Sequence, residues 1–270
     1  MSIQRIFAIV IRHIYVWPRS MERLMWSFGW PFVDIVIWGV TMSYLQKSAT
    51  SSFSFVNVIL GGLILWTIIW RTANEMAINF LDEVWNKNLI NVFSTPLRPA
   101  EFILAMVILN FIKLTLTIIF MTIASWLFYK FNIIASFGFF LPILFFNLLM
   151  TGLAFGLFVL ALILRFGVSV QELAWSLVAF IQPFSCVFYP LSALPEWGQK
   201  IAKFIPSTYV FEEMRTILFA KSDLIAKNTV NWSNLWISMI LNTIYLTFAL
   251  WFFYQMFENA RENGRLIKMQ

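Results

Sequence analysis

Six stretches of this chain are each long and apolar enough to fill the hydrocarbon core of a bilayer, and that fact constrains every other reading. A crossing helix needs about 20 mainly apolar residues. Such runs lie at roughly 26–45, 56–79, 101–128, 137–164, 172–189 and 232–256. Of the 270 residues, 60% are hydrophobic and 12% charged, whereas soluble domains carry about 25% charge. A soluble surface built from this composition lacks the polar residues to cover itself. The expected fold class is therefore an all-α integral membrane protein with six transmembrane helices, forming a single domain over 1–270.

The formal charge of +6 is spread through short segments between apolar runs. That distribution reads as membrane topology and contact with anionic lipid, and not as a nucleic-acid surface. The chain has one cysteine, Cys186, and one histidine, His13. An intrachain disulfide is thereby excluded, and a Cys/His metal site lacks ligands. The N-terminal stretch has no compact apolar core followed by a small-residue cleavage site. Instead Ile6, Ile9, Val10, Ile14 and Trp17 alternate with Arg5, Arg12 and Arg19, which predicts an amphipathic helix lying on the membrane over 1–25.

Six spans place both ends of the chain on one side. Arg5, Arg12, Arg19, Arg23, Lys87, Arg98, Arg165, Arg261, Arg265 and Lys268 fall on that side. Lys47 and Lys130 fall opposite, and Lys200, Lys203, Arg215, Lys221 and Lys227 share one long opposite segment, 190–231. Short loops weigh most in the positive-inside rule, so both termini are expected in the cytoplasm.

Two segments interrupt the apolar pattern. Between spans two and three, Leu81, Val84, Trp85, Leu89, Val92 and Phe93 form a helical stripe, with Asp82, Glu83, Asn86, Lys87 and Asn91 on the other face. The spacing predicts an amphipathic helix over 80–96 ended by Pro96. Pro99 then opens span three, with Glu101 in its first turn. The helix is either a headgroup helix or a docking helix for a soluble partner. After span five, Pro190, Pro195 and Pro206 break 190–220 into short pieces, with Trp197, Ile201 and Phe204 striped beside Gln199, Lys200 and Lys203. This is either a hairpin dipping back into the membrane or a loop lying flat on it.

Polar residues inside spans cost about 2.5–3.5 kcal/mol each at a helix centre. Asp34 stands in span one, Arg71 and Glu75 share a face of span two, and Asn110 and Lys113 lie in span three. Arg71 and Glu75 can pair or snorkel, whereas Asp34 and Lys113 suggest an interior polar role. Trp26, Trp30, Trp38, Trp66, Trp70 and Trp85 serve either as interfacial belt and packing or as the lining of an amphiphile-binding surface. The chain has no G-x-x-x-x-G-K-[ST], no H-E-x-x-H and no G-x-S-x-G, so it offers neither a nucleotide site nor a recognisable catalytic one.

A family resemblance rests on WPFVDIVIWG at 30–39, FLDEVWNKNLINVFSTPLRPAEF at 80–102, LRFG at 164–167 with QELAW at 171–175, and QPFSCVFYPLSALPEW at 182–197 leading into IPSTYVFEEMR at 205–215. In this order the stretches resemble the membrane subunit, or permease, of bacterial ABC-2 type ABC transporters, and the likeness covers almost the whole chain. The resemblance implies a bacterial inner-membrane exporter of drugs, lipids or lipid-linked glycans. It further implies a permease dimer in which each subunit docks one ATP-binding cassette protein. ATP and Mg would be bound by that partner, and this chain would hold no cofactor. Residues 80–96 resemble the coupling helix, which would put Asp82, Glu83, Trp85, Asn86, Lys87 and Leu89 against the cassette. The 190–220 hairpin, with Pro190, Pro195, Trp197 and Pro206, resembles the extracytoplasmic gate. The rival reading from the residues is a proton-coupled secondary transporter using Asp34 or Glu75, although no inverted repeat relates 1–135 to 136–270. A lipid-acting membrane enzyme is poorly served by one histidine and scattered acids.

Overall fold

The computed structural model describes residues 2–48, 55–220 and 230–262. Lys221, Lys227, Arg265 and Lys268, used above for orientation, lie outside the described residues. Within them the chain is helical and contains no strand, as expected where lipid offers the backbone no partners.

Helix α1 (Ile3–Val16) buries Ile6, Ile9, Val10 and His13 on one face. Pro18 ends it in a 3-10 turn, Trp17–Arg19. The Ser20 side chain caps α2 (Met21–Leu24) by accepting from the Arg23 backbone N–H. A π-turn, Met25–Gly29, joins α2 to α3 (Trp30–Ser48) without a break. Helix α4 (Phe55–Trp85) is the hub, buried over most of its length. After it come α5 (Leu89–Ser94), α6 (Pro99–Tyr129), α7 (Ile133–Phe137) and α8 (Phe140–Phe166). Helices α9 (Gln171–Ile181), α10 (Glu196–Ala202), α11 (Pro206–Ala220) and α12 (Trp232–Glu262) complete the chain. Pro99 does open α6, and the Glu101 carboxylate caps it by accepting from the Arg98 N–H at 3.0 Å.

Among the described residues, five segments are long and apolar enough to cross: Met21–Lys47, Val56–Trp85, Pro99–Tyr129, Phe140–Phe166 and Trp232–Glu262. The expected fifth span, 172–189, is not one continuous helix. Its helix α9 has 11 residues, about 16 Å at 1.5 Å per residue, or half the hydrocarbon thickness. Beyond Ile181 the chain turns, with Cys186 at φ 54°, and the Val187 carbonyl packs where a Cβ on Gly62 would meet it at 3.1 Å. Apolarity alone did not distinguish a continuous helix from a helix followed by a packed turn.

Side-chain pairings give the directions. Helices α4 and α6 run antiparallel, since Phe80 meets Phe102 and Thr72 meets Asn110. Helices α4 and α8 run parallel, with Gly152 against Thr72 and Gly156 against Met76. Helices α8 and α12 also run parallel, through Phe140–Trp232, Thr151–Asn242 and Phe158–Phe252. Two parallel neighbours oblige the chain to climb back between them, and α9 with its following turn does so. Consequently α1 and the last turns of α12 share one apolar cluster, Ile6, Ile9 and Val10 with Phe253, Phe257 and Ala260. Both lie at one end of the bundle, here called the near end.

The predicted helix over 80–96 is also corrected. Residues 80–85 are the last turns of α4. Lys87 adopts a left-handed conformation, φ 52°. The Asn88 N–H bonds to Glu83 O and the Lys87 N–H to Val84 O, which together close the helix in a Schellman arrangement. Leu81 and Val84 are buried in the bundle, so their apolar stripe belonged to a spanning helix and not to a separate surface one. Only α5 is a separate element.

Helices α4 and α8 touch almost backbone to backbone through Gly152 and Gly156, a small-xxx-small pair. A Cβ on Gly152 would lie 2.6 Å from Thr72 Cβ and 3.1 Å from the Ile69 carbonyl. Gly152→Ala is therefore expected to destabilise the protein by about 1–3 kcal/mol, read as a lower melting temperature in detergent. Gly198→Ala meets nothing closer than 3.5 Å and should leave the melt unchanged.

Candidate functional site

Where α4 passes the π-turn, two helices meet on one carboxylate. Glu75 Oε1 accepts from Arg71 Nη2 at 2.6 Å, and Oε2 accepts from Lys113 Nζ at 2.8 Å. Lys113 also donates to Asn79 Oδ1 at 2.9 Å and lies 5.9 Å from the Trp17 ring centroid. Arg71 Nη1 donates to the Trp26 carbonyl at 2.7 Å and Nη2 to Ser27 Oγ at 3.2 Å. Thr117 Oγ1 donates to the Ser27 carbonyl at 3.2 Å. The wide π-turn thus has carbonyls taken up by side chains of α4 and α6, a device that fixes α3 against both. Asn110 Nδ2 reaches the Thr72 carbonyl at 2.9 Å.

Arg71, Glu75, Asn110 and Lys113 are all buried and belong to one layer between the two apolar clusters of the bundle. Two cations share one anion, so the cluster carries one net positive charge. Asn79, Ser27, Thr72 and Thr117 are members that the sequence reading missed. Asn79 was within reach of it, standing four residues after Glu75 on the same face.

Asp34 stands apart. It makes no hydrogen bond and no ion pair among the described residues, and it is exposed on an open cleft formed by α3, α4 and the turn after α9. Trp26, Trp30 and Trp38 share its face at four-residue spacing, while Trp66 and Trp70 line the opposite wall with Gln182 and Phe188. Trp26 and Trp30 lie 6.2 Å apart, and Trp38 stacks on Phe188 at 5.4 Å. Trp85 is elsewhere, half-exposed at the tip of α4.

At the near end, Glu83 is 4% exposed and fully engaged. Arg12 pairs with its Oε1, His13 Nε2 lies 2.9 Å from the same oxygen, and Asn88 Nδ2 donates to Oε2 at 2.8 Å. Asp82 pairs with Arg23 at 3.1 Å. Both acids therefore tie α1 and α2 to α4. Trp85, Asn86 and Lys87 are exposed, and Leu89 opens α5. With Arg12 holding Glu83, the His13 ring is neutral and donates from Nε2. Burial first, then Arg12, Lys113 and Arg23, push its pKa down to about 3.

The proline-broken segment folds back into the bundle. Pro190 leads a 3-10 turn, Leu191–Ala193, Pro195 starts α10, and Pro206 starts α11. The elbow between α10 and α11 lies deep: Tyr245, midway along α12, donates to the Phe204 carbonyl at 2.7 Å, and Ser238 to that of Pro206 at 2.9 Å. Ser207 bonds Ser185, Thr208 bonds the Phe184 carbonyl, and Arg215 Nη1 donates to Cys186 O at 2.5 Å. Trp197 is exposed and meets Phe184 edge-on at 6.0 Å.

A family model described as the ABC-2 type transporter matches residues 4–219. No curated protein matches the chain.

Two outcomes are expected. Glu75→Gln strands two buried cations and should cost about 3–5 kcal/mol, whereas Lys113→Met leaves the Arg71–Glu75 pair neutral and should cost less; chemical unfolding in detergent ranks the two. His13 is neutral when docked and has an ordinary pKa near 6.5 when released. Its contribution is complete above about pH 6.5 and is lost as pH falls towards 3, by at most tenfold per pH unit. The protection of α1 amides, taken against the intrinsic exchange rate at each pH, should therefore fall on acidification more in the wild type than in His13→Gln.

Proposed function

The chain belongs to the ABC-2 type transporter family, and on that footing we propose that it is the permease half of an ATP-driven exporter in a bacterial inner membrane. Two copies pair around a pathway, each docking one ATP-binding cassette subunit, and ATP with Mg is bound and hydrolysed on that partner. The near end faces the cytoplasm, consistent with Arg5, Arg12, Arg19, Arg23, Lys87 and Arg98 clustering there. The exported molecule is amphiphilic: a drug, a lipid or a lipid-linked glycan.

The observation that carries this reading is the tip of α4. One continuous helix bears the charged layer and the cleft wall, and ends in an exposed Trp85–Lys87 turn. A cassette pressing on Trp85, Asn86, Lys87 and Leu89 would move α4 as a body. Asp82 and Glu83 would pass the push to α1 and α2 through Arg12, His13 and Arg23 and would not themselves touch the cassette. Cassette closure would then change access along the Trp-lined face, with the α10–α11 hairpin, at Pro190, Pro195, Trp197 and Pro206, covering the extracytoplasmic mouth. Against the proton-coupled alternative stands the pairing of each Glu75 carboxylate oxygen with a cation.

Native mass spectrometry of the tagged chain, mildly solubilised from its host, should show two permeases with two copies of a soluble ATPase. Trp85→Ala with Leu89→Ala should reduce cassette recovery at least tenfold while the permease keeps its melting temperature. A wild-type chain recovered without any ATPase from a host that expresses cassette proteins would overturn the reading.

A further inference from the structure

The sign of the charge in the tryptophan cleft narrows what can occupy it. Asp34 is the one ionisable acid on the cleft wall, and among the described residues neither lysine nor arginine lines it. Of the cations on the surrounding elements, Arg71 and Lys113 are bound to Glu75, and Arg215 is held by Glu212 and the Cys186 carbonyl. The two hydroxyls on the cleft wall are already spent as donors, Thr67 on the Leu63 carbonyl at 2.8 Å and Tyr189 on the Pro183 carbonyl at 2.6 Å. What remains among the described lining residues is a carboxylate without an ion pair or hydrogen bond, the Gln182 amide and five indole rings. Leaving such a group unpaired within a spanning segment is costly, and residues of this kind mark ligand pathways. Indole faces are also the best cation–π acceptors among side chains.

Resting on the permease reading above, we propose that this cleft is the binding site for a hydrophobic organic monocation. Its charge sits against Asp34, its apolar body between Trp30 and Trp38 on α3 and Trp66 and Trp70 on α4. The four-residue spacing of Trp26, Trp30, Asp34 and Trp38 turns one face of α3 into a ladder of π surfaces with the acid between rings. Trp66 and Trp70 repeat that spacing on α4. A delocalised cation keeps an aromatic contact at each step along such a wall, so its desolvation is offset at every level. A pyrophosphate-linked glycan would meet a carboxylate there and, among the described lining residues, no basic side chain to receive its charge, only the neutral donors of Gln182 and the indoles.

Two ions of the same shape and opposite sign test this without altering the protein. Radiolabelled tetraphenylphosphonium should bind the purified full-length chain saturably in a maltoside detergent, which offers no competing ammonium group. Tetraphenylborate, titrated in a separate experiment because the two ions pair with each other, should show no saturable binding. Asp34→Asn should weaken phosphonium binding at least tenfold, Asp34→Glu should retain it within about threefold, and Trp30→Leu should weaken it severalfold, each with the wild-type melting temperature. Saturable tetraphenylborate binding as tight as that of phosphonium, or Asp34→Asn binding phosphonium as tightly as the wild type, would overturn the proposal. Absence of saturable phosphonium binding to a wild-type chain that still recovers its cassette would remove the cation site and leave the permease reading standing. Loss of the cassette with phosphonium binding intact would do the reverse.

Discussion

Glu75 is the group around which the bundle is assembled. Its two oxygens hold Arg71 of its own helix and Lys113 of α6, and Arg71 extends the link to the Trp26 carbonyl and the Ser27 hydroxyl beside α3. Burying three charges in lipid is unfavourable unless each finds fixed partners. Here the partners come from three different elements, so the desolvation cost is offset only when α3, α4 and α6 are in one particular register. The apolar clusters on either side contribute most of the buried area, but Leu, Ile and Phe side chains tolerate sliding in lipid. The charged layer does not.

That register gives α4 its mechanical character. Thirty-one residues run without interruption. One end is pinned near Gly62 against the turn after α9, the middle is pinned by the ion cluster, and the far turns are held by Arg12, His13 and Arg23. Close backbone contact with α8 at Gly152 and Gly156 adds a second rigid body. A force applied at Trp85 therefore acts on the cleft wall that carries Trp66 and Trp70, with little slack between them. The acids at the tip, which a surface-helix pattern assigns to a partner, are the rivets joining α1 and α2 to this lever.

Much of the site was legible in particular residues. Arg71 and Glu75 are one turn apart and could pair or snorkel, while Lys113, with Asn110 one turn before it, suggested an interior polar role. That the two pairs meet was not legible, because a period along one helix says nothing about which helix lies opposite. Likewise the stripe from Leu81 to Phe93 has helical spacing throughout, yet Lys87 in a left-handed conformation cuts it. Lysine there carries no local signal of the kind glycine would. The 172–189 run looked like a span because hydropathy measures transfer from water and is blind to whether the backbone is helical or folded in a turn against glycine.

The sequence by itself determined that the chain lives in a membrane, that it is helical, that its polar interruptions fall near 80–99 and 190–220, and that Asp34, Arg71, Glu75 and Lys113 need an explanation. These follow from solvation, which acts residue by residue. Only the tertiary structure decided which of those charges satisfy one another. It gathered Arg71, Glu75 and Lys113 into a closed set, consumed Asp82 and Glu83 in fastening α1 and α2, brought the α10–α11 elbow level with the middle of α12, and left Asp34 unpaired among tryptophans. Pairing across helices depends on direction, register and close approach, here set by two glycines and a π-turn, and those are properties of the assembled bundle.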